Sequence, residues 1–144
     1  MRTRSALVLL TLLVAACSSR SGVIAITDSW APTTPPRAQA GVIYLTIENG
    51  TGTDDRLLAA ESDRCGTIEL HATQFDDNRV MRMRLAEPEL LEIKSGETME
   101  MVPGGLHVMC IDPTEPFRAG DTIDVSVTLE QAGQLQVSTL VENR

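Results

Sequence analysis

Two histidines, three cysteines and six methionines are the residues of this 144-residue chain best equipped for metal or redox chemistry. Both histidines, and every methionine after Met1, fall between His71 and Met109. Imidazole nitrogen combined with thioether sulfur is a soft ligand set. Thioethers select Cu(I) among biological metals and have no proton to lose. They also cannot form disulfides, so such a site survives in an oxidising compartment. Zinc would favour Cys, His and carboxylate, and the methionines point away from it. The competing reading is that strand methionines fill gaps in a core and the histidines are merely hydrogen-bonded. Met99 and Met101, which flank Glu100, fit that reading. For His107, Met109, His71 and Met83 taken together, copper is the favoured ligand on chemistry alone.

Those residues must be positioned by strands, because no window after residue 22 sustains a 3.6-residue apolar period while two-residue alternation is common. In Val80 to Leu85, Met81 and Met83 share a face, and Arg82 and Arg84 point the other way. In Leu106 to Ile111, His107 and Met109 share a face opposite Leu106, Val108 and Cys110. The turn signal Pro103-Gly104-Gly105 precedes that strand and fixes where His107 begins. Thr67 to Thr73 sets Ile68, Leu70 and Ala72 on one face. Val42 to Ile47 is apolar on both faces. Thr122 to Leu129 aligns Ile123, Val125, Val127 and Leu129, and Leu135 to Val141 follows a turn at Ala132-Gly133. Turn signals recur at Asn49-Gly50, Asp76-Asp77-Asn78, Ser95-Gly96 and Ala119-Gly120-Asp121, and Pro32 to Pro36 reads as a crossing loop. Many short strands with such punctuation predict an all-β sandwich or small barrel.

Composition excludes several functions. Twenty acidic against twelve basic residues give a net charge of −8, and aromatic residues are only 3%. That balance repels phosphate backbones and offers few stacking platforms, so no nucleic-acid partner is expected. Lys94 is the sole lysine, which argues against lysine-dependent covalent chemistry.

The N-terminus reads as an address. Arg2 and Arg4 precede an apolar run from Ala6 to Ala16, too short to span a bilayer as a helix. The run ends Val14-Ala15-Ala16-Cys17, similar to a bacterial lipobox, in which the cysteine is lipidated and becomes the mature N-terminus. This predicts residues 1–16 as a lipoprotein signal, 17–22 as the lipidated Cys17 and a polar tether, and 23–144 as the folded domain. Acyl chains on Cys17 would hold it to a membrane in the extracytoplasmic envelope. Outside the cytoplasm Cys65 and Cys110 are free to pair. That bond would close a loop of about 46 residues, worth near 4 kcal/mol on the chain-entropy model. Strand parity leaves the pairing open, because Cys65 shares parity with His71 while Cys110 does not share it with His107. A bulge at Gly66 would reconcile the two.

Seven segments stand in order: Asp28-Ser29-Trp30-Ala31-Pro32, Tyr44-Leu45-Thr46-Ile47-Glu48-Asn49, Asp55-Arg56-Leu57-Leu58, Ile68-Glu69-Leu70-His71, Val80-Met81-Arg82-Met83-Arg84, Ser95-Gly96-Glu97-Thr98, and Pro103-Gly104-Gly105-Leu106-His107-Val108-Met109. Together they resemble the bacterial periplasmic copper chaperone family PCu(A)C across about residues 23–141. The resemblance implies a cupredoxin-like β fold of about eight to nine strands and an exposed Cu(I) site. Its ligands would be His71, Met83, His107 and Met109, with Met81 as a possible extra or supporting thioether, and Cu(II) as a second possible guest. It implies a monomeric metallochaperone, not an enzyme, that passes copper to a cytochrome oxidase subunit or an assembly factor. Two departures stand out. Ala72 occupies the place where a methionine often follows the first histidine, and His107 follows Met83 by about two residues more than usual, a surplus expected near Glu87 to Leu91. The alternatives are an envelope lipoprotein with a Met-rich core and no metal, a thiol–disulfide reductase using Cys65 and Cys110, and an electron-transfer cupredoxin. The last needs a cysteine ligand, which alternation turns away from His107.

Overall fold

The computed structural model describes residues 22–144. The expected signal, Cys17 and most of the tether lie outside the described residues. Ten strands follow in order: β1 (Ile24–Ala31), β2 (Ala40–Asn49), β3 (Asp55–Glu61), β4 (Cys65–Phe75), β5 (Met81–Leu85), β6 (Glu92–Ile93), β7 (Thr98–Glu100), β8 (Leu106–Pro113), β9 (Thr122–Leu129) and β10 (Gly133–Val141). A 3-10 turn, Pro88–Leu91, is the one helical element among the described residues. It falls where the surplus between Met83 and His107 was expected. No helix among the described residues is long and apolar enough to cross a membrane. The count exceeds eight to nine because β6 and β7 are only two and three residues long, too short to leave an alternation signal.

The strands form one hydrogen-bonded path, β5-β4-β8-β2-β1-β10-β9-β3-β6, with β7 also paired to β2. The ten-residue β2 joins the two halves. Ala40 to Ile43 pairs with β8, and Thr46 to Glu48 pairs with β7. The core fills by alternation. Ile123, Val125, Val127 and Leu129 of β9 are buried, as are Val108 and Cys110 of β8 and Ile43, Leu45 and Ile47 of β2. Each such side chain contributes roughly 1.5–3 kcal/mol on leaving water. Met99 and Met101 are 7% and 2% exposed and belong to this core. They are gap fillers, as their spacing suggested.

Cys65 and Cys110 form a disulfide between β4 and β8, with Cα atoms 5.3 Å apart. Regular alternation would set them on opposite faces. At this end of the ladder Asp112 has a left-handed φ of 47°. Gly66 lies against it so closely that a Cβ there would stand 3.2 Å from the Asp112 Cβ. Cys65 packs against the core together with Ile68 and Leu70, so the change of face lies between Cys65 and Ile68, the stretch that holds Gly66.

Candidate metal centre

The β4–β8 ladder sets His71 directly opposite His107, and Glu69 opposite Met109. Residues two apart share a face, so Glu69, His71 and Thr73 line the same surface as His107 and Met109, opposite Val108 and Cys110. On the far side of β4, β5 sets Leu85 opposite His71, Met83 opposite Thr73 and Met81 opposite Phe75. Met83 and Met109 are therefore both diagonal neighbours of His71, from opposite ends. Diagonal Cβ atoms lie about 7–8 Å apart, within reach of long side chains. Met81 stands one rung farther out.

The structure thus joins the two histidines with Met109 beside them and Met83 on the adjoining edge strand. Met81 and Met83 are exposed, Met109 is half-buried and His107 is buried. Met99 and Met101 are elsewhere, in the core. Tyr44 of β2 closes the inner side, its ring 6.5 Å from that of His107 and 4.7 Å from Trp30. The Arg144 guanidinium lies 5.3 Å over the Trp30 ring and bonds to Asp28 and Glu142.

Each imidazole is oriented by one hydrogen bond. The His71 Nε2 lies 2.7 Å from a Glu69 carboxylate oxygen, and the His107 Nδ1 lies 3.0 Å from the Gly105 carbonyl. An ionised carboxylate and a carbonyl only accept, so these two nitrogens carry the protons. In the neutral rings the lone pairs then reside on His71 Nδ1 and His107 Nε2. Both atoms are buried and neither has a hydrogen-bond partner. Burial pushes the His107 pKa below the ordinary imidazole value, against the Gly105 bond, and the neighbouring His71 lowers it further. His107 is therefore a neutral donor at pH 7, the form a metal needs.

The ring centroids are 6.0 Å apart. An ion about 2.0–2.1 Å from one nitrogen of each ring requires centroids within roughly 6.4 Å of each other, and this separation meets that condition. Among the described residues no three His, Cys, Asp or Glu side chains converge as a cage. The thioether residues that the register brings diagonal to His71 are Met109 and Met83.

Sequence reasoning missed Glu69, the Gly105 carbonyl and Tyr44. Glu69 lies two residues before His71, so alternation alone placed it on the histidine face. Tyr44 reaches His107 through the β2–β8 pairing, which no local pattern reveals.

The family model described as "Putative lipoprotein LpqE-like" matches residues 24–141. A curated relative, "Uncharacterized protein RP573" of Rickettsia prowazekii (strain Madrid E), is 29% identical over 101 residues, covering 70% of this chain and 55% of that protein. The chain thus spans about half the length of the relative. Among solved structures, the apo PCuAC domain from PmoF1 superposes with a TM-score of 0.68 at 16% identity, over 84% of this chain and 94% of that one. The copper-bound PCuAC domain from PmoF2 gives 0.65 at 20% identity, over 84% and 93%. The solution structure of CuI-DR1885 from Deinococcus radiodurans gives 0.60 at 21% identity, over 80% and 75%. At such identities the likeness is one of fold. The chain belongs to the LpqE-like family and carries the cupredoxin-like fold of the PCuAC domains.

Proposed function

We propose that this protein is a Cu(I) metallochaperone of the cell envelope and not an enzyme. The observation that carries the reading is the pair of facing imidazoles, each oriented by a protein acceptor and each left with an unpartnered buried nitrogen. His71 Nδ1 and His107 Nε2 would hold the ion, with the Met109 and Met83 sulfurs completing a soft shell. Met83 is preferred over Met81 because it lies one rung nearer His71. The copper-bound PCuAC domain and CuI-DR1885, which share this fold, support the choice of metal.

Delivery needs no redox step. All four donors are neutral, so an incoming ligand displaces one thioether and Cu⁺ leaves with its own charge. The exposed edge position of Met83 makes its sulfur the one to be displaced first. Cu(II) can share the imidazoles, but the thioethers favour the reduced ion. The acceptor is a cytochrome oxidase subunit or an assembly factor, and Cys17, lipidated, would hold the domain at the membrane. A monomer suffices for all of this.

The competing thiol reading is disfavoured by the formed Cys65–Cys110 bond, whose Cys110 half is 0% exposed. Electron transfer through a copper–thiolate is disfavoured for the same reason. The test is a competition titration of the domain from residue 22 against a chromogenic Cu(I) chelator. The expected result is one equivalent withheld from the chelator, with strong weakening in His107→Ala and Met109→Ala. Failure of the unmutated domain to compete at one equivalent overturns the reading.

A further inference from the structure

Strand β5 ends the sheet, and its outer edge is unpaired. The Ala86 amide donates to Leu70 (2.8 Å) and the Asp76 amide to Val80 (2.9 Å). In an antiparallel ladder bonding alternates, so even-numbered residues of β5 face β4. Met81, Met83 and Leu85 therefore aim their amides and carbonyls outward. Their side chains stand on the histidine face and are 57%, 58% and 63% exposed, beside Phe75 at 68%. A contiguous apolar strip of this kind next to a metal site marks an interaction surface.

The opposite face of β5 carries Arg82 and Arg84 in a chain whose net charge is −8. Asp76 holds Arg82 at 2.7 Å, while Arg84 has no ion pair among the described residues. A second copy is a poor occupant. Antiparallel pairing of two β5 edges through their outward residues sets arginine against arginine on that face.

We propose that β5 is the docking edge for the copper acceptor, which adds an extended segment as an eleventh strand. Its side chains alternate: apolar or thioether groups lie over Met81, Met83 and Leu85, and acidic groups meet Arg84 and Arg82. Backbone bonds supply affinity and the alternating side chains supply register. A sulfur or imidazole on the apolar face of that strand then sits beside Met83, where it can replace the Met83 thioether. This inference rests on the copper reading, yet its test does not use copper.

The probe is a short synthetic peptide alternating Glu with Met, titrated into the copper-free domain and followed by amide spectra and by anisotropy of a labelled peptide. Two control peptides carry Lys in place of Glu or backbone N-methyl groups at the Met positions. The expected result is a shift and slowed exchange of the Met81, Met83 and Leu85 amides. Arg84→Glu should weaken binding about tenfold, a loss that shrinks at high salt. The N-methylated and Lys peptides should fail to bind. The proposal is overturned if the Glu-Met peptide does not bind, binds without moving those three amides, or is matched by either control. Adding Cu(I) to the same sample tests the metal reading separately.

Discussion

Replacing both bridging cysteines, Cys65→Ala with Cys110→Ala, should cost about 2–4 kcal/mol of stability while leaving copper affinity nearly unchanged. The two residues are 45 apart in sequence. On the chain-entropy model a loop of that length, once opened, returns about 4 kcal/mol of conformational freedom to the unfolded chain. Structure left in the reduced unfolded state lowers that figure. Against a total stability of about 5–15 kcal/mol the loss is large. The metal site should feel little of it. His71 lies six residues up β4 from Cys65, or about 20 Å at 3.3 Å per residue; Cys110 adjoins Met109 but is buried on the opposite, core face, and seven register pairs hold β4 to β8 without the bond. Equilibrium urea unfolding of both proteins gives the stability difference, and chelator competition below the transition gives the affinity. Equal urea midpoints would refute the loop argument. A large affinity loss in the folded variant would show that the bond, and not the ladder, sets the histidine spacing.

Three further outcomes follow from particular contacts. Glu69→Ala should weaken Cu(I) binding about 10–100-fold by freeing the His71 ring, with Glu69→Gln recovering part of the loss by accepting the same bond; chelator competition measures both. Gly41→Ala should destabilise by about 1–3 kcal/mol, because its Cβ would collide with the ring of buried Phe117, and a thermal scan reports it. The Asp76 carboxyl is held below its ordinary range, first by the Arg82 guanidinium and then by the Val80 and Asn78 amides. A depressed carboxyl stabilises above its unfolded value of about 3.9 and loses that contribution as pH falls through the folded value. Protection factors of the β4–β5 hairpin amides, corrected for the intrinsic exchange rate at each pH, should therefore fall on acidification toward pH 3, and Asp76→Asn should lower them already at pH 7.

Much of this arrangement was legible in the chain. Alternation in β8 separated His107 and Met109 from Val108 and Cys110, and alternation in β5 put Met81 and Met83 on one face. The same rule assigned Ile123 to Leu129 to the core. What stayed hidden depends on pairing between strands distant in sequence. The choice between Met81 and Met83 is a matter of β4–β5 register, which one strand cannot fix. The parity conflict of the cysteines resolves between Cys65 and Ile68, around Gly66, where alternation alone could not decide. The Tyr44 and Trp30 rings come to the site through β2 and β1, 63 and 77 residues before His107. Strands β6 and β7 escaped notice because two or three residues carry no period.

The central claim is that one Cu(I) ion is held between His71 Nδ1 and His107 Nε2. Nitrogen-15 spectra of the histidine rings, recorded before and after one equivalent of Cu(I), test it atom by atom, because the ion is diamagnetic. The copper-free rings should show the proton on His71 Nε2 and on His107 Nδ1. Copper should then shift His71 Nδ1 and His107 Nε2 together while those protons stay in place. Movement of the opposite nitrogens, or of one ring alone, would contradict the account.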